Sequence, residues 1–597
     1  MKPTIEILDR IMENSRDNKE EIFTRLYRYM LRPDLYHIAY KNLYANKGAS
    51  TKGVDDDTAD GFSVEKISRI IDSLADETYA PKPVRREYIQ KKRNSTKKRP
   101  LGIPTFTDKL VQEVLRMILE AVYEPTFSNH SHGFRPKRSC HTALKSLKLE
   151  FTGSAWFIEG DIKGCFDNID HHVLVDIINS KIKDARLIKL IWKFLKAGYM
   201  EDWKYHATYS GCPQGGIVSP ILSNIYLNEL DKFAAKVAVD YFKPKDRPHS
   251  VEYDRVAGKR NYAKKLLKTA SGQRKAELLK EVRILTSKLR KTPYSPKTDK
   301  VMKYIRYADD FIIGVKGSKA DCKRIKEQFS EFISHTLKME LSDEKTLITH
   351  SNQYARFLGY DVRVRREQKL KPNGRGALAR TLNGKVELNI PFADKIMPFL
   401  FDKLAIRQIK NGTIEPSPRK YLYRCTNLEI ISSYNSELRG ICNYYGLASN
   451  FARLDYFAYL MEYSCLKTLA GKHKSTTRKM LVKYHIKNGS WGIQYNTTKG
   501  QKCREFARYQ DCKNADNFND VIINFGAGYA GTRTTFEDRL SAEVCELCGK
   551  TDVPLEIHHV NKVKNLKGKQ DWEIIMIAKR RKTLAVCKGC HHRIHHP

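Results

Sequence analysis

Three aspartates stand where they could carry out phosphoryl transfer. Asp161 ends an apolar, aromatic segment, and Asp309 and Asp310 interrupt a second apolar segment at its middle. Both segments have the composition of β-strands, which places the acids at a strand end and at a hairpin tip. Carboxylates crowded among apolar strands lose hydration and repel each other unless cations neutralise them. Mg²⁺ prefers oxygen ligands, and two such ions could activate a primer hydroxyl and stabilise a leaving pyrophosphate.

Two Cys-X-X-Cys pairs near the end of the sequence predict a metal site of a second kind. The pairs are 38 residues apart, which suits a tetrahedral site for structural Zn²⁺. The other nine of the 13 cysteines are scattered singly, a usage typical of a reducing compartment rather than of disulfides. The four predicted ligands are Cys545, Cys548, Cys587 and Cys590.

The elements that must position these groups follow from hydrophobic periodicity. We predict helices in the first ~80 residues, a β-hairpin over residues 84–104 with a cationic tip at 91–99, and a basic helical insertion at 241–300. That insertion carries 18 Lys and Arg against 6 Asp and Glu. The N-terminal helices are predicted from apolar residues at helical spacing, which are Ile22, Leu26, Tyr29 and Met30, followed by Val64, Ile67, Ile70 and Ile71.

The charge balance predicts a polyanionic partner. The 597 residues include 108 Lys and Arg against 68 Asp and Glu, a net charge of +40, and phosphate backbones are the usual partner of such a surplus. No apolar run approaches the ~20 residues of a membrane-spanning helix, so no membrane association is expected. Residues 1–21 carry acids and resemble neither a signal nor a transit peptide, which predicts a cytoplasmic protein.

The three acids lie in two of four motifs, and together the four resemble reverse transcriptases in the family's order. The sequence around Asp309 resembles the catalytic signature of these enzymes, and that around Asp161 resembles their upstream catalytic strand. The other two motifs resemble a nucleotide-pocket loop and a primer-gripping hairpin. The motifs are Asp161-Ile162-Lys163-Gly164-Cys165-Phe166-Asp167, Pro213-Gln214-Gly215-Gly216, Tyr307-Ala308-Asp309-Asp310 and Phe357-Leu358-Gly359-Tyr360.

This resemblance implies roles for individual residues. Asp161 and Asp309 would be Mg²⁺ ligands and Asp310 a supporting acid, while Phe166 would exclude a ribose 2′-hydroxyl. Further expected contacts with the incoming dNTP, its triphosphate or the template are Gln214, Lys98, Arg99, Arg135 and Lys345. An ordinary surface charge is the alternative for each of the four basic residues.

Two longer segments resemble group II intron-encoded proteins in particular. These are Ser131-His132-Gly133-Phe134-Arg135-Pro136-Lys137-Arg138-Ser139 and the helical stretch at 434–445, which resembles the family's domain X, a thumb that grips the duplex and supports RNA splicing. Arg439, Tyr444 and Tyr445 in that stretch combine a cation with rings that could stack on bases, and helical core packing is the alternative for the tyrosines.

The histidines between and after the cysteine pairs resemble an HNH, or ββα-metal, endonuclease. The resemblance implies that His559 is the general base, and that His558, His591 and His595 hold the nuclease metal, for which Mg²⁺ is expected. The sequence departs from the usual pattern at Thr583, where an asparagine is common; Asn561 or Asn565 would be its substitute. A zinc knuckle that binds DNA without cutting it is the alternative reading.

Together these features predict a multidomain α+β chain with a right-hand polymerase. Its predicted parts are an N-terminal extension (1–80), fingers and palm (81–375), a thumb or domain X (376–487), a DNA-binding region (488–540) and the nuclease module (541–597). The implied function is reverse transcription, intron splicing and DNA cleavage in target-primed retrohoming. Its partners would be group II intron RNA, target double-stranded DNA and dNTPs. A homodimer and association with the nucleoid are further expectations. The alternatives are a splicing factor without an active nuclease and a cellular reverse transcriptase without an intron partner.

Overall fold

The computed structural model describes most of the chain. The described residues are 3–46, 48–90, 98–202, 204–212, 215–296, 299–367, 369–372, 374, 376, 378–379, 383–409, 412–486, 490–497, 500–512, 536–579 and 581–596. Within them, helices and short sheets alternate along the chain, so the predicted α+β class is confirmed.

The α-helices and β-strands are numbered in chain order. The helices are α1 (Thr4–Asp17), α2 (Pro33–Leu43), α3 (Val64–Ala75), α4 (Phe106–Tyr123), α5 (Cys140–Glu150), α6 (His171–Lys181), α7 (Ala185–Leu195), α8 (Ser219–Tyr241), α9 (Val251–Leu267), α10 (Gly272–Lys291), α11 (Lys319–His335), α12 (Met397–Asp402), α13 (Asn427–Tyr444), α14 (Leu454–Lys472), α15 (Thr477–Lys483), α16 (Phe536–Ser541), α17 (Asp571–Lys579) and α18 (Lys588–His595). The strands are β1 (Phe23–Thr24), β2 (Phe62–Ser63), β3 (Val84–Gln90), β4 (Lys98–Ile103), β5 (Trp156–Asp161), β6 (Ile182–Lys183), β7 (Tyr199–Glu201), β8 (Lys204–His206), β9 (Val301–Tyr307), β10 (Asp310–Lys316), β11 (Ile348–His350), β12 (Ala355–Phe357), β13 (Tyr360–Val364), β14 (Lys371–Pro372), β15 (Leu378–Ala379), β16 (Val386–Asn389), β17 (Ile406–Gln408), β18 (Ile414–Pro416), β19 (Gly492–Thr497), β20 (Gly500–Glu505), β21 (Leu555–His559) and β22 (Thr583–Cys587).

The N-terminal region differs from its prediction at one helix. The apolar spacing at 22–30 predicted a helix, but Ile22 is exposed and only Leu26–Leu31 is helical, as a single 3₁₀ segment. Helix α3 forms as predicted, with the Ser63 hydroxyl accepting a hydrogen bond from the Lys66 amide as its N-cap. Leu26 and Met30 are buried, so the apolar spacing correctly predicted these core residues. It did not predict that the helix would be of the 3₁₀ type.

A four-stranded sheet in the order β11-β5-β10-β9 carries the polymerase acids. Side chains along a strand alternate between the faces of a sheet, and β10 shows this in its packing. Phe311 and Ile313 face a hydrophobic core shared with the N-terminal helices, whereas Ile312 faces a second core shared with α13 and α14. Both faces of the sheet are therefore covered, and its acids lie at one end.

A buried ion pair anchors the turn between β9 and β10. Arg306 in β9 and Asp231 in α8 are fully buried and 2.7 Å apart, and Arg306 also donates to the Ala308 carbonyl and the Ser131 hydroxyl. Ala308 has a left-handed backbone, with φ at +55°, which few non-glycine residues adopt. The guanidinium thus holds the carbonyl of a strained turn in place.

The predicted hairpin of the fingers is formed by β3 and β4. It continues through β7 and β8 into a four-stranded sheet in the order β4-β3-β7-β8. Residues 91–97, most of the predicted cationic tip, lie outside the described residues.

The predicted basic insertion consists of α9 and α10, joined by a four-residue connection. The two helices pack on each other, and Leu278 and Leu289 of α10 are buried, in keeping with the apolar spacing. Backbone hydrogen bonds between Lys243 and Lys300 close the base of the insertion.

The hairpin of β12 and β13 joins the palm to the thumb helix α13. Its turn residues Leu358 and Gly359 both have positive φ, as a tight two-residue turn requires. The Tyr444 hydroxyl donates to the Leu358 carbonyl at 2.7 Å, and the Tyr445 hydroxyl donates to the Gly359 carbonyl at 3.3 Å. The expectation that these tyrosines stack on bases is therefore replaced by its alternative, because their hydroxyls fasten the thumb to the palm.

The nuclease module is built on a sheet that includes the N-terminal region. Strands β21 and β22 pair antiparallel, and β2 adds to the free edge of β21, so the order is β2-β21-β22. Phe62 of β2 is fully buried and stacks on Tyr40, with ring centroids 4.0 Å apart. None of the helices in the described part of the chain is both long and apolar enough to cross a bilayer.

Removing Asp231 should destabilise the palm sheet, because it leaves the Arg306 charge buried and unpaired. We expect Asp231→Ala to lower the local free energy of unfolding by about 3–5 kcal/mol. Amide hydrogen exchange in β9 and β10 measures that change.

Lys232→Ala is the matched control, since Lys232 neighbours Asp231 and forms an exposed pair with Glu229. An exposed pair of this kind contributes at most about 1 kcal/mol. Equal exchange rates in the two variants would contradict the anchoring role.

Candidate active sites

Strand pairing places the three palm aspartates together. Asp161 is the last residue of β5 and Asp310 the first of β10, and the two are direct partners in the antiparallel register. Asp309 precedes Asp310 in the turn that Arg306 anchors. All three carboxylates are partly buried at this end of the sheet, and their role as metal ligands stays a prediction.

The electrostatics of this cluster favour a bound cation. Burial raises the pKa of Asp310 to about 7, and two further causes add to the effect: the hydrogen bond that the protonated Asp310 carboxyl donates to Asp161, and the charge of Asp309. Burial also raises the pKa of Asp309, with further contribution from Asp161. A divalent cation would relieve this repulsion, and the donor set is all oxygen, so the residues fit Mg²⁺.

Lys345 is a predicted cation that pairs directly with one of the acids. Its Nζ lies 2.7 Å from Oδ2 of Asp161, and this bond raises the pKa of Lys345. Arg99 lies near enough for its charge to counter the raised pKa of Asp309, whereas Lys98 is exposed on the same strand. Two of the predicted basic residues, Lys345 and Arg99, therefore lie near the acids, and Lys98 lies beside Arg99 on β4.

The predicted nucleotide contacts fall in different surroundings. Phe166 is half-buried and meets the exposed ring of Phe134 edge to face, with centroids 6.1 Å apart. Its backbone carbonyl accepts a hydrogen bond from the Cys212 amide at 2.7 Å, which ties the segment after β5 to the nucleotide-pocket loop. Gln214 lies outside the described residues.

Arg135 has a structural position that its predicted contact with triphosphate or template did not anticipate. The residue is buried, and its guanidinium pairs with Glu124 at 2.9 Å. The same group donates to the carbonyls of Ser128 and Ser131. Because its donors are taken up within the protein, we correct the expected role: Arg135 supports the loop that contacts Arg306 through Ser131.

The four predicted cysteines form one cluster, with Sγ atoms within 4.8 Å of one another. Sγ of Cys548 and Sγ of Cys587 are 3.9 Å apart, close to the ~3.8 Å separation expected for thiolates on a tetrahedral zinc. Burial would raise the pKa of Cys545, but backbone amides of Cys548, Cys587 and Leu547 lower it to about 6. Thiolate-stabilising amides and tetrahedral spacing make this donor set fit Zn²⁺.

The predicted nuclease histidines form a second cluster, which contains one residue the sequence did not indicate. His558 of β21 and His591 and His595 of α18 surround the carboxylate of Asp60, and the four ligand atoms lie within 4.8 Å of one another. His591 Nδ1 lies 2.6 Å from the Glu556 carboxylate, which leaves Nε2 facing the cluster. Imidazole nitrogens with one carboxylate fit a divalent metal ion, and Glu556 stands where an outer carboxylate orients a ligating histidine.

His559, the last residue of β21, is not one of the four groups of this cluster. Its Nε2 donates to the Tyr44 carbonyl at 3.0 Å, and burial lowers its pKa. A neutral imidazole that donates from Nε2 keeps Nδ1 as a proton acceptor, the state that a general base requires. Thr583 is its partner across the sheet, but the Thr583 hydroxyl accepts from Arg539.

The asparagines that were expected to replace Thr583 do not do so in the described part of the module. Asn561 and Asn565 are exposed, and the hydrogen bonds found for His559 there are with the Tyr44 carbonyl and Asp60. That expectation is corrected: a backbone carbonyl from the N-terminal region orients the imidazole instead.

Sequence reasoning missed Asp60 and Arg306. Asp60 follows the acidic run Asp55-Asp56-Asp57, an anomaly in a chain this basic, and that run was the only local signal. Arg306 lies two residues before Ala308 in a mostly apolar strand, and a buried arginine there requires an acidic partner.

Models of three protein families match the chain. The family described as reverse transcriptase (RNA-dependent DNA polymerase) matches residues 89–244, and type II intron maturase matches residues 383–525. The AI2M/AI1M-like HNH endonuclease family matches residues 545–591, which contain the four cysteines.

Three relatives match all or nearly all of this chain. The chain is 59% identical to the group II intron-encoded protein LtrA of Lactococcus lactis subsp. cremoris, with 100% of both chains covered. It is 34% identical to an uncharacterized 91 kDa protein in the cob intron of Schizosaccharomyces pombe, covering 100% of this chain and 72% of that one. It is 33% identical to a putative COX1/OXI3 intron 2 protein of Saccharomyces cerevisiae, covering 98% and 68% respectively.

The cysteine cluster should hold zinc, and its loss should unfold only the nuclease module. Cys590→Ser removes a buried donor, so we expect zinc to be lost and the amides of β21 and β22 to exchange freely, because zinc binding is part of the folding energy. Metal analysis beside hydrogen exchange measures both effects.

Cys503→Ser is the control, since Cys503 is exposed on β20, away from the cluster. The control should retain its zinc. A Cys590→Ser protein with full zinc content would show that these cysteines do not form the site.

Proposed function

Because this chain belongs to the family of group II intron-encoded proteins, we propose that its two metal centres act in succession in target-primed reverse transcription. The chain has reverse transcriptase, intron maturase and HNH endonuclease regions, so it is a multifunctional enzyme. In the proposed order of reactions, the nuclease first frees a DNA 3′-end. The palm then extends this end by copying intron RNA inserted in the target.

For polymerisation we assign Asp161 and Asp309 as Mg²⁺ ligands and Asp310 as the supporting acid. Bound there, Mg²⁺ would supply charge stabilisation for the attacking hydroxyl and the leaving pyrophosphate. The raised pKa values of Asp309 and Asp310 support the assignment, since such carboxylates gain most from a nearby cation. Lys345, at 2.7 Å from Asp161, is placed to steady phosphate charge when a nucleotide is bound.

Phe166 is proposed to select deoxyribonucleotides. Its half-buried ring lies five residues after Asp161, and the contact with Phe134 and the Cys212 hydrogen bond restrict its movement. A ring held in this way can exclude a 2′-hydroxyl by volume alone. Gln214, Lys98 and Arg99 remain proposed contacts of the nucleotide or template.

The maturase activity is assigned to the thumb and the basic surfaces that flank it. Three tyrosines lie exposed along one stretch of α14, with neighbouring ring centroids 6.4 and 4.6 Å apart; they are Tyr456, Tyr459 and Tyr463. Exposed rings in a chain of charge +40 suit stacking on unpaired bases beside phosphate contacts. The intron RNA is the proposed partner, and the extents 1–80, 81–375, 376–487, 488–540 and 541–597 are the proposed functional divisions.

For DNA cleavage we assign His559 as the general base and His558, His591 and His595 as ligands of the nuclease metal. A divalent cation bound there would polarise the scissile phosphate. His559 would accept a proton from water at Nδ1 while the Tyr44 carbonyl holds Nε2. Zn²⁺ at the four cysteines is proposed as structural, because it would join β22 and α18 to the turn at Cys545 and Cys548.

The observation that carries this proposal is the presence, besides the cysteine cluster, of two separate clusters of candidate catalytic groups in one family member. The carboxylates lie at the end of the palm sheet, and the histidines lie on the nuclease sheet and α18. The palm cluster offers carboxylates and the nuclease cluster offers mainly imidazoles. Polymerisation and DNA cleavage would therefore use different groups, and one substitution could abolish either reaction without the other.

Single substitutions should therefore separate the activities. Asp309→Ala should reduce primer extension below about 1% of the parent rate, since it removes a ligand of the reacting metal. His559→Ala should reduce DNA nicking ~10²–10⁴-fold, as loss of a general base does. Each protein is assayed for extension of an annealed primer, for nicking of target DNA and for assisted intron splicing.

Each variant is the control of the other. Asp309→Ala should nick DNA normally, His559→Ala should extend an artificial primer normally, and both should assist splicing. Undiminished nicking by His559→Ala would favour a zinc knuckle that only binds DNA.

A further inference from the structure

The nuclease cluster contains a carboxylate that belongs to a different part of the chain. Asp60 lies in the loop before β2, 499 residues from His559. Its Oδ1 is 3.2 Å from Nδ1 of His558, and its Oδ2 is 3.3 Å from Nε2 of His591 and 2.7 Å from Nε2 of His595. The carboxylate therefore approaches all three histidines at once.

These separations match a shared ligand sphere. Nitrogen and oxygen ligands ~2.0–2.2 Å from one divalent ion are ~3.0–3.4 Å apart, whether four or six surround it. The two histidine nitrogens of α18 are themselves 3.3 Å apart. Three of the four distances fall in that range and the fourth is slightly shorter, so one ion could meet all four groups with small side-chain movements.

His558 adds an observation independent of distance. Its side chain is only 4% exposed, yet neither ring nitrogen makes a hydrogen bond of acceptable geometry within the described residues. A buried imidazole without hydrogen bonds is costly unless another ligand satisfies it. The ring also packs edge-on against Trp572, with centroids 4.8 Å apart, which fixes its orientation toward the cluster.

The backbone holds Asp60 in this position. Gly61, with φ at +75°, donates its amide to the Ile557 carbonyl, and Phe62 and Ser63 then pair with β21. Asp60 Oδ1 also accepts the backbone amide of His559 at 2.6 Å. Asp60 is therefore held against β21 by its own carboxylate and by the backbone of the three residues that follow it.

The N-terminal region also supplies a hydrogen-bond acceptor for His559, the proposed general base. The module has threonine instead of asparagine at position 583, and the Thr583 hydroxyl accepts from Arg539. The Tyr44 carbonyl, just after α2, accepts from His559 Nε2 in its place. Two independent contacts from the N-terminal region therefore meet two different parts of the nuclease centre.

We propose that the nuclease centre is composite: Asp60 is a fourth ligand of its metal, and the N-terminal region completes a site that residues 541–597 leave unfinished. The inference rests on the proposed nuclease function and adds a ligand from outside the nuclease module. A carboxylate beside three neutral imidazoles supplies negative charge that favours a divalent cation. With six-coordinate ions, four protein ligands still leave positions for water and phosphate oxygen.

A composite centre makes DNA cleavage depend on docking to the N-terminal region. Helix α2 and the β2 strand pack against α4 and α3, which belong to the same hydrophobic core as the palm. The nuclease would therefore be competent only when it is seated on the polymerase body.

The test compares two substitutions of Asp60 in the full-length, zinc-loaded protein. Asp60→Asn keeps the shape of the side chain but removes its charge, and Asp60→Cys offers a thiolate ligand instead. Asp56→Asn is the matched control, because Asp56 is a 90% exposed acid of the same loop. Co²⁺ is the probe, with visible absorption reporting its ligands and DNA nicking measured in Mg²⁺ and in Co²⁺.

We expect Asp60→Asn to weaken Co²⁺ binding and Mg²⁺-dependent nicking at least ~10-fold, since even residues behind the ligands of a metal site cost 10–100-fold. Asp60→Cys should gain a sulfur-to-cobalt absorption band and recover nicking in Co²⁺ more than in Mg²⁺. A residue with only a structural role would not change the absorption spectrum in this way. Asp56→Asn should match the parent throughout.

An unchanged Co²⁺ spectrum in both Asp60 variants would overturn the proposal. So would faster nicking by Asp60→Asn, because Asp60 would then be blocking the site rather than completing it. If the parent binds Co²⁺ there but never nicks DNA, the proposed nuclease function fails, and the spectra still decide whether Asp60 is a ligand.

Discussion

The buried ion pair between Arg306 and Asp231 is the interaction on which the polymerase centre depends. A fully buried arginine is tolerable only with its donors satisfied, and this one is bound by α8, by the 131–133 loop and by the turn that carries Asp309. The loop approaches so closely that a Cβ at Gly133 would lie 2.3 Å from the Ala308 amide nitrogen. Three segments distant in sequence are thereby fixed around a turn with an unfavourable backbone. The crowded acids next to it can keep their positions before any cation arrives.

The N-terminal region links this centre to the second one. Helices α1 and α2 pack on α4, and β2 extends the nuclease sheet, so a continuous hydrophobic core includes residues from both parts. Exposed pairs such as Lys588 with Glu65, 2.8 Å apart, border the same contact. A strand added to a sheet edge satisfies backbone groups that would otherwise be open to water or to another chain. Docking therefore stabilises the nuclease as well as bringing Asp60 and the Tyr44 carbonyl to it.

The sequence predicted what depends on local pattern and missed what depends on distant contact. Alternation and turn chemistry located the hairpin with Asp309 and Asp310, and cysteine spacing located the four cysteines that cluster in the structure. Asp60 could not be paired with His558 from the sequence, because the two are brought together by a strand pairing across about 500 residues. Arg135 illustrates the opposite error: a basic residue in a motif suggested phosphate, but burial beside Glu124 gives it a structural partner. The apolar spacing from Ile22 to Met30 likewise could not show that only Leu26–Leu31 is helical, as a 3₁₀ segment.

In the proposed function, one protein cuts DNA and then extends the cut strand. A target duplex labelled at the 5′-end of the nicked strand, incubated with the protein, its intron RNA, Mg²⁺ and dNTPs, tests this directly. The labelled strand should first shorten to one product and then lengthen beyond its original size, with intron sequence joined to the cut end. Labelled DNA that is cut but never extended, together with cDNA that begins on an unrelated primer, would contradict the account.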